Sequence, residues 1–399
     1  APLFSMALKR GIDDMNNEVQ SIIKEKCTAV HPSVEWRFRQ AAMDHMESRR
    51  QGKPSEMAPI IFKDVIPLFG QSDIRGSSEA RVESIQADLT EQLKLAETVM
   101  QRAAENRSWP LIGELRYQID RRIGNLQNGL SAEEENLVGS FLQLEVESSF
   151  EELRTIGPGV VRAIDRYNQS VDPVRNVVYR KRKAFEESVF MLNERLSACL
   201  DQKQAEAQQI LPHYFEKHQT DGIDYVIYLG ASMHPQGKHN LFYLKNLALW
   251  QLEVACGMAR ETRRIQSDLK IPLDTCHLVL VNHTPLSIRF RYDEKRFDVD
   301  GAYDVRQEII KSRLDKAVVK GGRERLTQPG QIAVVYSHPK EGRDIRRHID
   351  YLQGRGDLLP DLQTIDLEDL PGVRGLKALR VGVNLERGRA VDETEQMVG

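Results

Sequence analysis

Arginines and lysines gather at residues 289–325, and the period that carries them changes from two to 3.6 along the way. Arg289 and Arg291 alternate with Ile288, Phe290 and Tyr292, as a strand with one buried and one cationic face requires. From about Tyr303 the residues Tyr303, Ile310, Leu314 and Ala317 fit one helical stripe, and Arg306, Arg313, Lys316 and Lys320 fit the stripe beside it. Gly321-Gly322 supplies a helix stop, Arg323 and Arg325 follow in the loop, and Pro329-Gly330 turns into an expected strand at 332–336. Guanidinium forks match phosphate and carboxylate, so converging cations here would take an anionic small molecule or an acidic protein partner. The rival reading is an ion-pair network, because Asp293, Glu294, Asp298, Asp300 and Asp304 lie close enough in sequence to neutralise them.

A second stretch with chemical potential is Gly70-Gln71-Ser72-Asp73-Ile74-Arg75-Gly76-Ser77-Ser78, which reads as a turn after the apolar run 59–69. Val82, Ile85, Leu89, Leu93 and Met100 then keep helical spacing, with Ser77 or Ser78 placed to cap the exposed amides. An apolar run, a Gly/Ser loop and a helix start can together bind an anion. The expected ligand-binding set is therefore Asp73, Arg75, Arg289, Arg291, Arg313, Lys316, Lys320, Arg323 and Arg325. Catalytic residues, cofactor and metal ligands stay unassigned, since single carboxylates occur without a recognisable second member.

Ser72-Asp73-Ile74-Arg75-Gly76 resembles part of the first metal-binding motif of class III nucleotide cyclases, and that resemblance implies a divalent cation on Asp73. It covers five residues. Ser77-Ser78 stand where the motif has Phe-Thr, and no strand hairpin delivering a second aspartate is evident downstream.

The remaining motifs point to structure. His31 beside Pro32 has no acid or nucleophile near it in sequence; Gly230 to Pro235 lacks a phosphate-binding fingerprint; Asp298-x-Asp300-Gly301 lacks the downstream ligands of a calcium loop. Arg180-Lys181-Arg182-Lys183 lies inside a helical pattern followed by Phe185, Val189, Leu192 and Leu196, which reads as a solvated face and not a nucleic-acid contact.

These residues need a scaffold, and 399 residues suffice for two or three domains with their own cores. A net charge of −3 gives no global electrostatic case for nucleic acid or a membrane surface. No apolar run is long enough for a transmembrane helix and no secretory signal leads the chain, which fits a cytoplasmic setting. Cys27, Cys199, Cys256 and Cys276 are far apart, without zinc spacing, and read as reduced thiols. The chain opens on Ala1 and runs straight into an amphipathic pattern, as the C-terminal part of a longer protein would.

Helical spacing is expected over 6–50 with a break at His31-Pro32, Ser33 being the N-cap of the second helix. It resumes over 79–220, interrupted near 108–110, 129–131, 157–159 and 172–173. At Thr220-Asp221-Gly222 short β-runs begin to alternate with helices: strands near 225–229, 277–281, 286–292, 332–336, 362–367 and 376–383, helices near 242–266 and 345–352. The expected fold is α+β: a helical, bundle-like domain at 1–220, a mixed α/β sheet domain at 222–390 and a flexible tail at 391–399.

Four phrases carry a wider resemblance: VHPSVEWRF at 30–38, FKDVIPLFGQSDIRGSS at 62–78, LPHYFEKHQTDG at 211–222 and RFRYDEKRFDVDGAYDVRQEIIKSRLDKA at 289–317. They resemble the C-terminal region of large bacterial GAF domain-containing proteins without an assigned activity. The resemblance spans nearly the whole chain, though the GAF domain itself is not visible in it. It implies a cytoplasmic sensory or regulatory context. The expected function is a regulatory region that binds an anionic metabolite or nucleotide; the alternatives are an enzyme acting on a phosphorylated substrate and a structural interaction module.

Overall fold

The computed structural model describes residues 15–16, 19–23, 30–52, 56–127, 129–237, 240–281, 284–299, 314, 317–322, 324–369 and 375–387. The fold is α+β, and the chain divides into two compact units. One comprises residues 1–75, 192–266 and 274–399; the other comprises residues 76–191 and 267–273.

The first unit is built on a nine-stranded sheet. Its strands are β1 (Ile61–Ile74), β4 (Tyr214–Thr220), β5 (Gly222–Leu229), β6 (Thr275–Val281), β7 (Leu286–Arg291), β8 (Arg296–Val299), β9 (Gln331–Tyr336), β10 (Gln363–Asp366) and β11 (Lys377–Gly382). The order is β10-β11-β9-β6-β1-β5-β4, with β7 also on β1 and β8 on β7. Among the described residues only β6 and β9 pair in parallel.

Strand β1 is the centre of that sheet. The stretch Gly70 to Asp73, expected as a turn, is strand, because β5 and β6 flank it on both sides and supply the hydrogen bonds a loop would have left to water. Gly70 is needed there for space: a Cβ would stand 2.3 Å from the Tyr225 ring carbon that packs over it. Towards its other end β1 is irregular between Phe62 and Val65, where it changes partner to β7.

Two helices, α1 (Glu35–Arg50) and α8 (Leu241–Ile265), bear on this sheet with α9 (Pro339–Gly354). One face buries Phe38, Ala41 and Ala42 of α1 with Phe69, Val226, Leu278, Leu280, Ala333 and Val335. The opposite face buries Leu252, Ala255 and Ala259 of α8 and Ile345, Ile349 and Leu352 of α9 against Val279, Val281, Ile332 and Val334. Both faces being covered explains why β6 and β9 read as unbroken apolar runs. The N-cap of α1 is Val34, not Ser33, whose hydroxyl instead lies 2.7 Å from Nδ1 of a half-buried His31.

The second unit is helical. It contains α2 (Ser77–Asn106), α3 (Pro110–Leu126), α4 (Ala132–Phe141), α5 (Phe150–Arg154) and α6 (Pro158–Ser170), with a small hairpin of β2 (Val171–Asp172) and β3 (Val177–Val178). The breaks near 108–110, 129–131, 157–159 and 172–173 fall as expected, but the one between α4 and α5, at Leu142–Ser149, is an irregular helical stretch with neither Pro nor Gly. Ile85, Leu89, Leu93 and Met100 of α2 are buried as their spacing requires, while Val82 is 38 % exposed. Neither Ser77 nor Ser78 caps α2: its N-cap is Gly76, in the left-handed region at φ 69°, without a side-chain cap. Asp88 of α2 caps a different helix, α7 (Lys181–Ile210), accepting from the amides of Arg180 (3.1 Å), Lys181 (2.9 Å) and Arg182 (2.9 Å). At the unit's centre Tyr167 accepts from Gln92 at 2.9 Å and donates to Glu147 at 2.7 Å.

The boundary expected at 220–222 falls instead at the tip of the β4–β5 hairpin. Strands β1 and β4 precede it in the chain yet pair with β5, so the helical unit begins only at Gly76. Periodicity reports local order, and the pairing of β1 with β5 and β6, far later in the chain, has no local trace. The helix expected over 303–320 lies mostly outside the described residues; at its end Val318 and Val319 form isolated bridges to Arg325 and Leu367. The tail at 391–399 lies outside them altogether.

Candidate functional site

Asp73 sits one residue from the end of β1, paired with Gly222 on β5 and Cys276 on β6. Side chains alternate across a strand, so Phe69, Gln71 and Asp73 share one face, and the residues opposite them on β5, Val226, Asp224 and Gly222, point the same way. Gly222 has no side chain. The next group on that face of β5 is therefore Asp224, diagonal to Asp73 at a Cα spacing of about 7–8 Å, within reach of a shared ion.

Backbone bonds pin the end of β1 to the hairpin tip and to the residue that precedes β6. The amide of Ile74 donates to the Asp221 carbonyl at 3.0 Å, and the amide of Arg75 donates to the Asp274 carbonyl at 2.8 Å. Gly222 lies so near β1 that a Cβ would meet the Ser72 carbonyl oxygen at 2.3 Å and the Asp73 Cα at 2.9 Å. Its φ of 141° also disfavours any residue with a side chain. Asp73, Arg75 and Asp224 are all half-buried, which weakens solvent screening of whatever charge they meet.

Cys276 borders this face as a buried thiol. Burial pushes its thiol up to about 12, with the Asp73 and Asp274 carboxylates raising it and Arg75 opposing them. On the reverse face the register pairs Ser72 with His277, and a buried row runs from Thr262 Oγ1 to Thr275 Oγ1 (2.8 Å) to His277 Nε2 (3.2 Å). Complete burial holds His277 neutral, with its pKa lowered to about 4.

Among the described residues, the basic stretch does not join Asp73 and Arg75. Arg289 pairs with Ile61, at the start of β1, and a strand rises ~3.3 Å per residue, so Arg289 and Arg291 are up to about 40 Å from Asp73 along the strand. Arg291 is committed to carboxylates: Asp293 at 2.9 Å, Glu294 at 3.1 Å and Asp298 at 3.4 Å. Its pKa is raised chiefly by the Asp293 hydrogen bond, and that of Asp293 is lowered by the same bond. Here the ion-pair reading prevails, because a β7–β8 hairpin brings the acidic residues 293–298 back across the arginines. Lys320 and Arg325 lie elsewhere, by β10 and β11: the Lys320 amide donates to the Asp366 carbonyl at 3.0 Å, and the Arg325 carbonyl accepts from Arg380 at 3.4 Å. Arg306, Arg313, Lys316 and Arg323 lie outside the described residues.

Of the expected set, Asp73 and Arg75 come together, and the residue the sequence reading missed is Asp224. The hairpin that carries it had a signal. Asp221-Gly222 ahead of the apolar, β-branched run 223–229 is a short-range hairpin sign, and the turn it makes is a hairpin tip and not a domain boundary. Among the described residues no group of three or more His, Cys, Asp or Glu side chains is arranged to hold a metal. Two carboxylates still suit Mg²⁺, which keeps several waters and takes its remaining ligands from phosphate. No helix among the described residues is long and apolar enough to cross a membrane.

No family model matches the chain, and no curated protein matches it. Among solved structures it is similar to the guanylyl cyclase Cya2, with 14% identity, a TM-score of 0.28 and coverage of 57% of this chain and 90% of that one. It is also similar to the catalytic core of a rhodopsin-guanylyl cyclase with converted specificity in complex with ATPαS, with 14% identity, a TM-score of 0.26 and coverage of 48% and 84%. At these scores the overlap is too loose to carry any residue across.

Proposed function

We propose that this chain binds an anionic, phosphate-bearing metabolite of the nucleotide class at the Asp73 end of the sheet. A divalent cation held by Asp73 and Asp224 bridges to the phosphates, and Arg75 neutralises further phosphate charge. The observation that supports it is the register Asp73 opposite Gly222, which places Asp224 diagonal to Asp73 on the same face, beside Gln71, with no side chain directly opposite Asp73 on β5. Two half-buried carboxylates on one face repel each other, and a cation relieves that repulsion while leaving coordination positions for phosphate oxygens. With the wider resemblance to GAF domain-containing proteins, this makes the chain a regulatory or sensory part of a bacterial cytoplasmic protein.

Melting temperature in the presence of nucleotides, sugar phosphates and dicarboxylates, each with Mg²⁺ or with chelator, tests the reading. A ligand at a hundredfold excess over its Kd stabilises the folded state by about 2.7 kcal/mol, which is an observable shift. The expected result is a shift that needs nucleotide and Mg²⁺ together. A shift from dicarboxylates, or from nucleotide with chelator, would overturn it. Nucleotide consumed during the assay would make the same site that of an enzyme acting on a phosphorylated substrate.

A further inference from the structure

A cavity of about 530 Å³ opens between the first turns of α8 and α9. It lies at the opposite end of the sheet from Asp73. Thr262, near the end of α8, bonds Thr275 at the start of β6, so α8 begins where β6 ends, and α9 follows directly on β9, which is parallel to β6. The volume is that of an ordinary small-molecule site.

Its lining has two parts. The floor is apolar: Leu244, Ala248 and Ile345 are 4 %, 7 % and 3 % exposed. The rim carries Lys245, Lys340 and Arg343 against Glu341 and Asp344. Both carboxylates are already engaged. Glu341 accepts from the amides of Ser337 at 3.3 Å and His338 at 3.0 Å, and Asp344 pairs with Arg347 and, at 3.9 Å, with Lys245. Lys340 and Arg343 are exposed and have no carboxylate partner among the described residues. The helix ends are also satisfied, α8 by Asn240, which accepts from Phe242 at 3.0 Å and Tyr243 at 3.2 Å, and α9 by its own capping box. Side-chain cations over an apolar floor, and not free helix amides, are what the cavity offers.

We infer that this cavity is a second ligand site, for an organic anion with an apolar body: Lys340, Arg343 and Lys245 hold the acidic group, and Leu244, Ala248 and Ile345 take the body. An ion without the body forfeits the burial of the floor, and a neutral body leaves the rim cations unmatched.

The test uses 1-anilinonaphthalene-8-sulfonate, a fluorescent apolar anion, titrated into the whole chain. One saturable site is expected, displaced by octyl phosphate and by octanoate but not by octanol or inorganic phosphate at the same concentration. Lys340→Glu/Arg343→Glu should weaken the probe by about tenfold or more, as loss of two charge-assisted contacts implies. Lys340→Ala/Arg343→Ala should do so to a smaller extent, which guards against a folding defect in the charge-reversed protein. Asp73→Asn should leave the probe's affinity unchanged, separating this site from the nucleotide site. Unaltered affinity in both rim variants would overturn the inference, and so would displacement by octanol or by inorganic phosphate as effective as that by octyl phosphate.

Discussion

Asp73 and Asp224 lie diagonally across the β1–β5 ladder on one face of the sheet, with the side-chain-free Gly222 directly opposite Asp73. This relationship depends on the hairpin tip lying against β1, and Gly222 is what permits the approach.

Gly222→Ala should therefore damage both fold and binding. A Cβ there meets backbone at 2.3 Å, which no rotamer can relieve, and the φ of 141° is strained for alanine. A loss of about 2 kcal/mol or more is expected from the combined steric and backbone cost. Urea denaturation measures it, and amide exchange at Ile74 should rise as its bond to the Asp221 carbonyl loosens.

Asp88 offers a test confined to the helical unit. It is 3 % exposed and accepts from three successive amides at the start of α7. Asp88→Ala leaves those donors without their acceptor, at an expected cost of about 2–3 kcal/mol. Exchange rates of the Arg180, Lys181 and Arg182 amides should rise sharply, whereas those of β6 and β9 should not.

Stability should fall on acidification in a window set by the buried histidines. His277 and His213 each have a folded pKa of about 4 against the ordinary 6.5, both chiefly through burial. Between those values the unfolded chain takes up protons that the folded chain refuses. Their contribution is thus complete above 6.5 and is lost as pH falls towards 4. The unfolding free energy measured across this range should decline with falling pH, and His277→Gln should make the decline shallower. An unchanged slope in that variant would show that His277 does not contribute.

Much of the fold was legible in the sequence, and the reasons differ by element. β6 and β9, buried on both faces, and α2, with its core stripe, announce themselves through local apolar pattern. The central position of β1 does not, because Gly70, Gln71, Ser72 and Asp73 have turn-like composition and become strand only through β5 and β6 on either side. The site was half legible for the same reason. Asp73 and Arg75 are near in sequence, while Asp224 joins them through a ladder spanning about 150 residues, and Arg291 is held by its own hairpin's acids.

The central claim is tested most directly by the binding of a fluorescent 2′/3′-N-methylanthraniloyl nucleotide to the wild-type chain, Asp73→Asn and Asp224→Asn, with Mn²⁺ or with chelator. The wild type should bind only with Mn²⁺, and each variant should lose about tenfold or more in affinity, the loss expected when one of two carboxylate ligands to the bridging cation is removed. Binding that survives chelator, or that Asp224→Asn leaves intact, would contradict the account.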